Sequence, residues 1–417
     1  MAIRSTGDII AENYIISSSV TYMTQSFASG STVFGNSNDD THTFTGSLFI
    51  TGSRIDLNDG SNNVSVGKDA GKAITTGADN IVIGSGAGVL MTDNNYNTVI
   101  GKGAFAAANT GENSNVVIGR QAGSAIDNSS ADNNVIIGSN AGTGGGADMS
   151  LCVVIGNEAM NSTAANAQEG TIAIGADALT ALTSGTENTA VGYNAGLAMT
   201  TSAGNTIMGY AAGDALVEGA NYNTAIGAHS LGAGNNDATH ANVCIGYASG
   251  NSITLGHSNV TIGYEAQPSA VGGANQIVIG YDATGVADNS VVLGNANVTA
   301  VYMSYDSGAT VHCAAVTEGS SLEIKKNISE IESPLDKITK LRGIEFDYKE
   351  NNKHSIGMIA EEVNEIFPEL VSKDEDGKVT AMSYSRMTAV LLEAVKELSQ
   401  EVKELKMSNN YNSKEGE

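Results

Sequence analysis

At 417 residues the chain is long enough for two or three ordinary domains, yet it carries 50 glycines, no Trp and only 5% aromatic residues, which excludes the bulky aromatic core of a typical enzyme. An apolar content of 41% with only three prolines excludes both collagen and a disordered chain. The formal charge is −25 and no Lys or Arg stands between Arg120 and Lys325, which excludes a nucleic-acid partner along that stretch and leaves a neutral glycan, a basic protein or a bound cation.

Residues 1–60 open with MAIRSTGDIIAENYIISSSV, which lacks a basic segment joined to an apolar one. No run anywhere approaches the roughly 18 apolar residues of a membrane span, so neither secretion nor membrane insertion is expected, and the protein is expected to be made in a cytoplasm. Alternating stretches such as HTFTGSLFITGSRIDL predict a small β-rich stem or attachment module.

Residues 61–300 repeat one frame, Asn-x-x-apolar-Gly-x-x-small, fourteen times, with its glycines running from Gly67, Gly84 and Gly101 to Gly263, Gly280 and Gly294. Successive glycines are 17 to 19 residues apart until a final step of 14. Asn stands four residues before the glycine in ten copies, and Cys152, Thr171, Gln276 and Ser290 replace it in the others. A strand this short buries nothing alone, so the copies must stack as a β-solenoid, a shaft of roughly 65 Å at the usual inter-strand spacing. The glycine marks a corner of positive φ or close backbone approach, and stacked Asn amides can bond along the axis. The frame resembles the left-handed β-roll of trimeric autotransporter adhesin heads.

The three cysteines, Cys152, Cys244 and Cys313, are odd in number and far apart, which predicts buried free thiols and neither disulfide nor zinc. His229, His240 and His257 and clusters such as Asp93-Asn94-Asn95 fall in inter-strand loops without metal-ligand spacing, so no metal or cofactor is expected. Residues 301–317 form a linker or β-rich neck.

From Glu318 to Glu417, Lys and Glu become frequent and helical periodicity replaces the glycine frame. Lys325-Lys326-Asn327-Ile328, the stretch GIEFDYK ending at Lys349, GMIAEEV from Gly357, FPELV from Phe367, Tyr384 and a closing helix resemble the endosialidase-type intramolecular chaperone domain of phage tailspikes and fibres. The closing helix spaces Leu391, Val395, Leu398, Val402 and Leu405 as a coiled-coil seam. The resemblance implies a homotrimer, in which this domain sets the upstream β-structure in register and then cuts itself off. The family's nucleophile and its Lys five residues on map to Ser320 and Lys325, and the scissile bond to Gly319–Ser320, with His354 and Glu361 as further candidates beside them. Ser321 and Glu323 replace the family's Asp and Arg, so processing and retention of the domain both stay open.

The expected fold is therefore mainly β: a trimeric β-solenoid or β-roll shaft, then a small α+β chaperone domain ending in a coiled-coil helix. The expected function is that of a structural tail-fibre or tailspike protein of a virion, bound to other tail or baseplate proteins and recognising a host-surface receptor such as a glycan. Any catalysis would be a single autocatalytic Ser–Lys endopeptidase event. A bacterial trimeric adhesin is the alternative, and a glycan-degrading spike would need a carboxylate pair that the repeats do not supply.

Overall fold

Three residues of backbone are too few to stand alone as a strand, and each repeat supplies only three. A computed structural model describes residues 61–412 apart from 145–148, 163–167, 235–236, 302, 304–310, 350–351 and 375, so the stem expected over residues 1–60 lies outside the described residues. Fourteen three-residue strands, from Val64–Val66 and Ile81–Ile83 to Val291–Leu293, join in sequence order into one parallel sheet. Register never slips: Ile81 lies opposite Thr98 and Ile83 opposite Ile100, and much further on Val243 lies opposite Val260 and Ile245 opposite Ile262. Each repeat is thus one turn of a β-solenoid, and even the shortened last turn keeps Ile277 opposite Val291.

Between the first and last strands the central residue of each strand points inward, as Val82, Val117, Ile136 and Ile207 do, and is fully buried. The small residue three after the glycine packs inside with it in every turn but the last, for example Ala87, Ala122 and Ala195. Phe105, Ile126, Met160, Leu179 and Leu216 fill the remaining interior. Because side chains alternate along a strand, the two flanking positions face outward. They carry Ile81, Met208 and Ile279, all more than a third exposed, and so form two outward columns that are largely β-branched and apolar.

Gly209 shows why the frame needs glycine. Its φ is +142°, and a Cβ there would lie 2.5 Å from the carbonyl oxygen of Gly227 on the next turn. The same meeting of glycine backbones recurs from Gly67 to Gly263.

The frame's asparagines are buried and form a ladder. Asn205 Nδ2 donates to Asn188 Oδ1 at 3.1 Å and to the Ala220 carbonyl at 2.8 Å, while its Oδ1 accepts from the Asn223 backbone N–H at 2.9 Å. Each amide therefore bonds the Asn side chain of the turn before it and satisfies a backbone carbonyl and N–H of the turn after it, which a buried strand end requires. The ladder breaks at Cys152 and Thr171, where the buried Thr171 hydroxyl finds no hydrogen bond.

Cys152 and Cys244 are buried, and burial pushes their thiols up to about 11 and about 12. Cys313 is exposed, which corrects the expectation of three buried thiols.

A second compact unit begins at Ala309. Its described residues form three α-helices, α1 (Pro334–Ile338), α2 (Ala360–Ile366) and α3 (Tyr384–Asn412), with two antiparallel hairpins: Ile344–Asp347 paired to His354–Gly357, and Val371–Lys373 paired to Val379–Met382. Val363 and Phe367 from the end of α2, Leu370, and Met387 and Val390 from α3 make its core. α1 is too short to hold itself, and Glu397 of α3 accepts the Leu335 N–H at 2.9 Å to cap it. The Tyr384 hydroxyl likewise accepts from Met358 N–H at 2.9 Å, tying the start of α3 to the segment that leads into α2.

Candidate functional site

Ser320 and Lys325 are five residues apart, a separation that an extended chain spans with roughly 17 Å. A single 3₁₀ turn, Leu322–Ile324, closes that gap. The Ile324 N–H reaches the Ser321 carbonyl at 3.3 Å and the Lys325 N–H reaches the Leu322 carbonyl at 3.2 Å. Ser321 caps the turn, its Oγ accepting from the Glu323 N–H at 3.3 Å. Ser and Asp are both strong N-caps, so Ser321 keeps the capping acceptor that an Asp would provide at this position. With the turn closed, Lys325 Nζ donates to Ser320 Oγ at 2.7 Å.

The pair opens on a cleft lined by Glu318, Gly319, Ser320 and Lys325 on one side, and by Glu369–Ser372 and the start of α3, with Ser383, Ser385 and Arg386, on the other. The Gly319–Ser320 peptide bond therefore shares a cleft with the hydroxyl and the amine. A lysine that reaches a serine hydroxyl can take its proton when neutral, which makes the oxygen a nucleophile, and the carbonyl carbon of residue 319 is tethered next to it.

His354 and Glu361 do not line this cleft. His354 sits opposite Asp347 in its hairpin, with Nδ1 3.0 Å from Asp347 Oδ1. Glu361 is exposed near the start of α2. Its neighbour Glu362 is the engaged carboxylate, gripped by Arg342 through Nη2 at 2.6 Å and Nε at 3.1 Å, and that hydrogen-bonded guanidinium lowers its pKa. Sequence reasoning missed Ser383, Ser385 and Arg386, which reach the cleft across some sixty residues of chain; no local spacing signals such a meeting.

Among the described residues no group of three His, Cys, Asp or Glu side chains could hold a metal, and no helix is long and apolar enough to cross a membrane. His240 and His257 stack on each other at 5.0 Å and 5°.

Residues 320–372 match the protein family described as the chaperone of endosialidase. The chain is also similar to the long tail fiber protein Gp37 of three phages. It is 36% identical over 94 residues to that of Enterobacteria phage K3, covering 21% of this chain and 8% of the relative. It is 31% identical over 109 residues to that of Salmonella phage S16, covering 24% and 15%. It is 33% identical over 122 residues to that of Enterobacteria phage Ox2, covering 27% and 43%. The chain spans less than half the length of each of these relatives. No solved structure matches it.

Proposed function

We propose that a chain whose residues 320–372 match the chaperone of endosialidase family is a tail-fibre protein of a phage, and that its C-terminal unit assembles the shaft and is then cut off at Gly319–Ser320. The observation that carries the second part is the 2.7 Å contact between Lys325 Nζ and Ser320 Oγ beside that bond. In this reading neutral Lys325 takes the hydroxyl proton, and Oγ attacks the carbonyl carbon of Gly319 to form a five-membered ring. The C–N bond breaks as the Ser320 nitrogen takes the proton back from Lys325, leaving an ester. Water hydrolyses the ester, so the shaft ends in the Gly319 carboxylate and the released unit begins at Ser320.

Self-association is supported by two apolar surfaces that one chain leaves open. The seam of α3, Leu391, Val395, Leu398, Val402 and Leu405, is 39% to 64% exposed, while Met387, Val390 and Ala394 on the same helix are buried. The outward strand columns of the shaft are the second surface, far longer than a soluble monomer usually shows. Three copies, a place in the virion tail, contact with other tail or baseplate proteins and recognition of a host-surface receptor complete the proposal. Its phage relatives count against the adhesin alternative.

Mass spectrometry of the purified chain tests the cleavage. Wild type is expected as a shaft piece ending at Gly319 plus a fragment starting at Ser320, and Ser320→Ala and Lys325→Met are expected to remain whole. A Ser320→Ala chain cut at the same bond removes Ser320 as the nucleophile.

A further inference from the structure

The residue that follows each repeat glycine changes character along the shaft. In the early turns it is Lys68, Lys102 and Arg120, whereas in later turns it is Tyr193, Tyr210, Tyr247, Tyr264 and Tyr281. On consecutive turns these tyrosines stack. The ring centroids are 5.5 Å apart for Tyr193–Tyr210, 5.1 Å for Tyr247–Tyr264 and 5.3 Å for Tyr264–Tyr281, and the planes lie within 17°. Ala228 would interrupt the column, but His229, in the left-handed region at φ 57°, swings its ring into the gap and meets Tyr210 and Tyr247 edge-on at 5.3 and 5.9 Å.

Six rings on six successive turns thus form one ladder on the surface, with its tyrosines 44% to 67% exposed. With centroids 5.1 to 5.5 Å apart and nearly parallel planes, consecutive tyrosine rings stand one above the next and the outer rim of each stays open to solvent. The phenol hydroxyls tip the rings, and the acidic residues Glu265 and Asp282 directly follow Tyr264 and Tyr281 in the chain.

A row of half-exposed aromatic rings at a regular spacing, carrying hydroxyl groups and flanked in sequence by carboxylates, matches the alternation of C–H faces and equatorial hydroxyls along a sugar chain. We infer that this ladder is the receptor-contacting strip of the shaft and that it takes a neutral polysaccharide laid along the solenoid axis. An anionic polymer is disfavoured because no Lys or Arg occurs between Arg120 and Lys325, and acidic side chains border the ladder. The inference rests on the fibre reading and adds to it a site and a ligand class.

With no Trp in the chain, tyrosine emission can be followed directly, and the ladder's share of it is the part lost in the ring-deleted variant. Full-length protein, Tyr247→Ala/Tyr264→Ala and Tyr264→Phe are run through native gels cast with dextran, a neutral galactan or a neutral mannan, and are titrated with the same polymers by fluorescence. At least one polymer is expected to retard and quench the wild type. The double variant is expected to lose about tenfold or more in affinity, the effect of removing two stacking faces, while Tyr264→Phe keeps most of it. Tyr281→Ala removes the most exposed tyrosine ring at the end of the ladder and replaces the double variant if that one does not fold. Three results overturn the inference: no retardation of the wild type by any of the three polymers, equal retardation of the ring-deleted variant, or a change of oligomer size in that variant, which makes the ladder a contact between copies. Oligomer size and cleavage at Ser320 are read on the same preparations, so absent glycan binding by the wild type, or unchanged binding by the ring-deleted variant, with both intact overturns the ladder alone.

Discussion

Glu112 is buried inside the shaft, with Oε2 accepting from Asn94 Nδ2 at 2.5 Å and Oε1 without a hydrogen bond. Burial raises its pKa above the ordinary carboxylate value. Relative to the unfolded chain, the folded one holds the proton to higher pH. The stability this group contributes is complete below its unfolded pKa and is lost as pH rises through the higher folded value. Melting temperature is expected to fall more steeply with rising pH above about 4.5 in wild type than in Glu112→Gln, and identical slopes in the two proteins exclude the assignment. At this scale the sequence was only partly legible. The motif around Lys325 pointed to Ser320, but the 3₁₀ turn that brings them together has no spacing of its own, and Ser321 showed itself a cap only once its Oγ was seen to meet the Glu323 N–H. His354 was legible as a residue near the α2 opener and misleading as a partner, because its hairpin register hands it to Asp347.

The strand is the element on which the shaft depends, and its glycine is the part least open to change. Gly209→Ala would add a methyl group 2.5 Å from a carbonyl at φ +142°, with only rigid backbone to yield, whereas at Gly86 nothing lies within 4 Å and only φ +68° opposes the change. Gly86→Ala is expected to cost on the order of 1 kcal/mol, and Gly209→Ala to displace neighbouring turns and cost several. Chemical denaturation of both variants checks this, and equal losses would show that the close approach is not decisive. The positions and number of the turns were legible because Asn and Gly recur on one frame. The direction each side chain faces was not, since triplets such as IVI and VVI are apolar at every position and carry no alternation to read. The asparagines were the better guide, because a polar side chain repeated at a buried corner has few ways to satisfy itself.

Across the whole molecule, the apolar seam of α3 and the outward columns of the shaft are separate surfaces, each long enough to hold copies together. Leu398→Lys, in the middle of the seam, is expected to abolish oligomers of the isolated 320–417 fragment as the cleavage reaction would release it, by burying a charge in each chain. Light scattering reads the outcome. A fragment that stays oligomeric would show that α3 is not the seam. In the full chain the same change is expected to lower the yield of correctly registered shaft, since fourteen near-identical turns give neighbouring copies many offsets at which to pair wrongly.

That sameness also has a genetic consequence. Gly67 to Gly84 and Gly246 to Gly263 are the same 17 residues apart, and both pairs close the same register. Loss or duplication of one such turn by unequal recombination leaves every remaining strand facing a partner it already fits. The reach of the shaft is therefore a heritable quantity that changes in whole steps of about 4.8 Å, with no intermediate lengths for selection to cross.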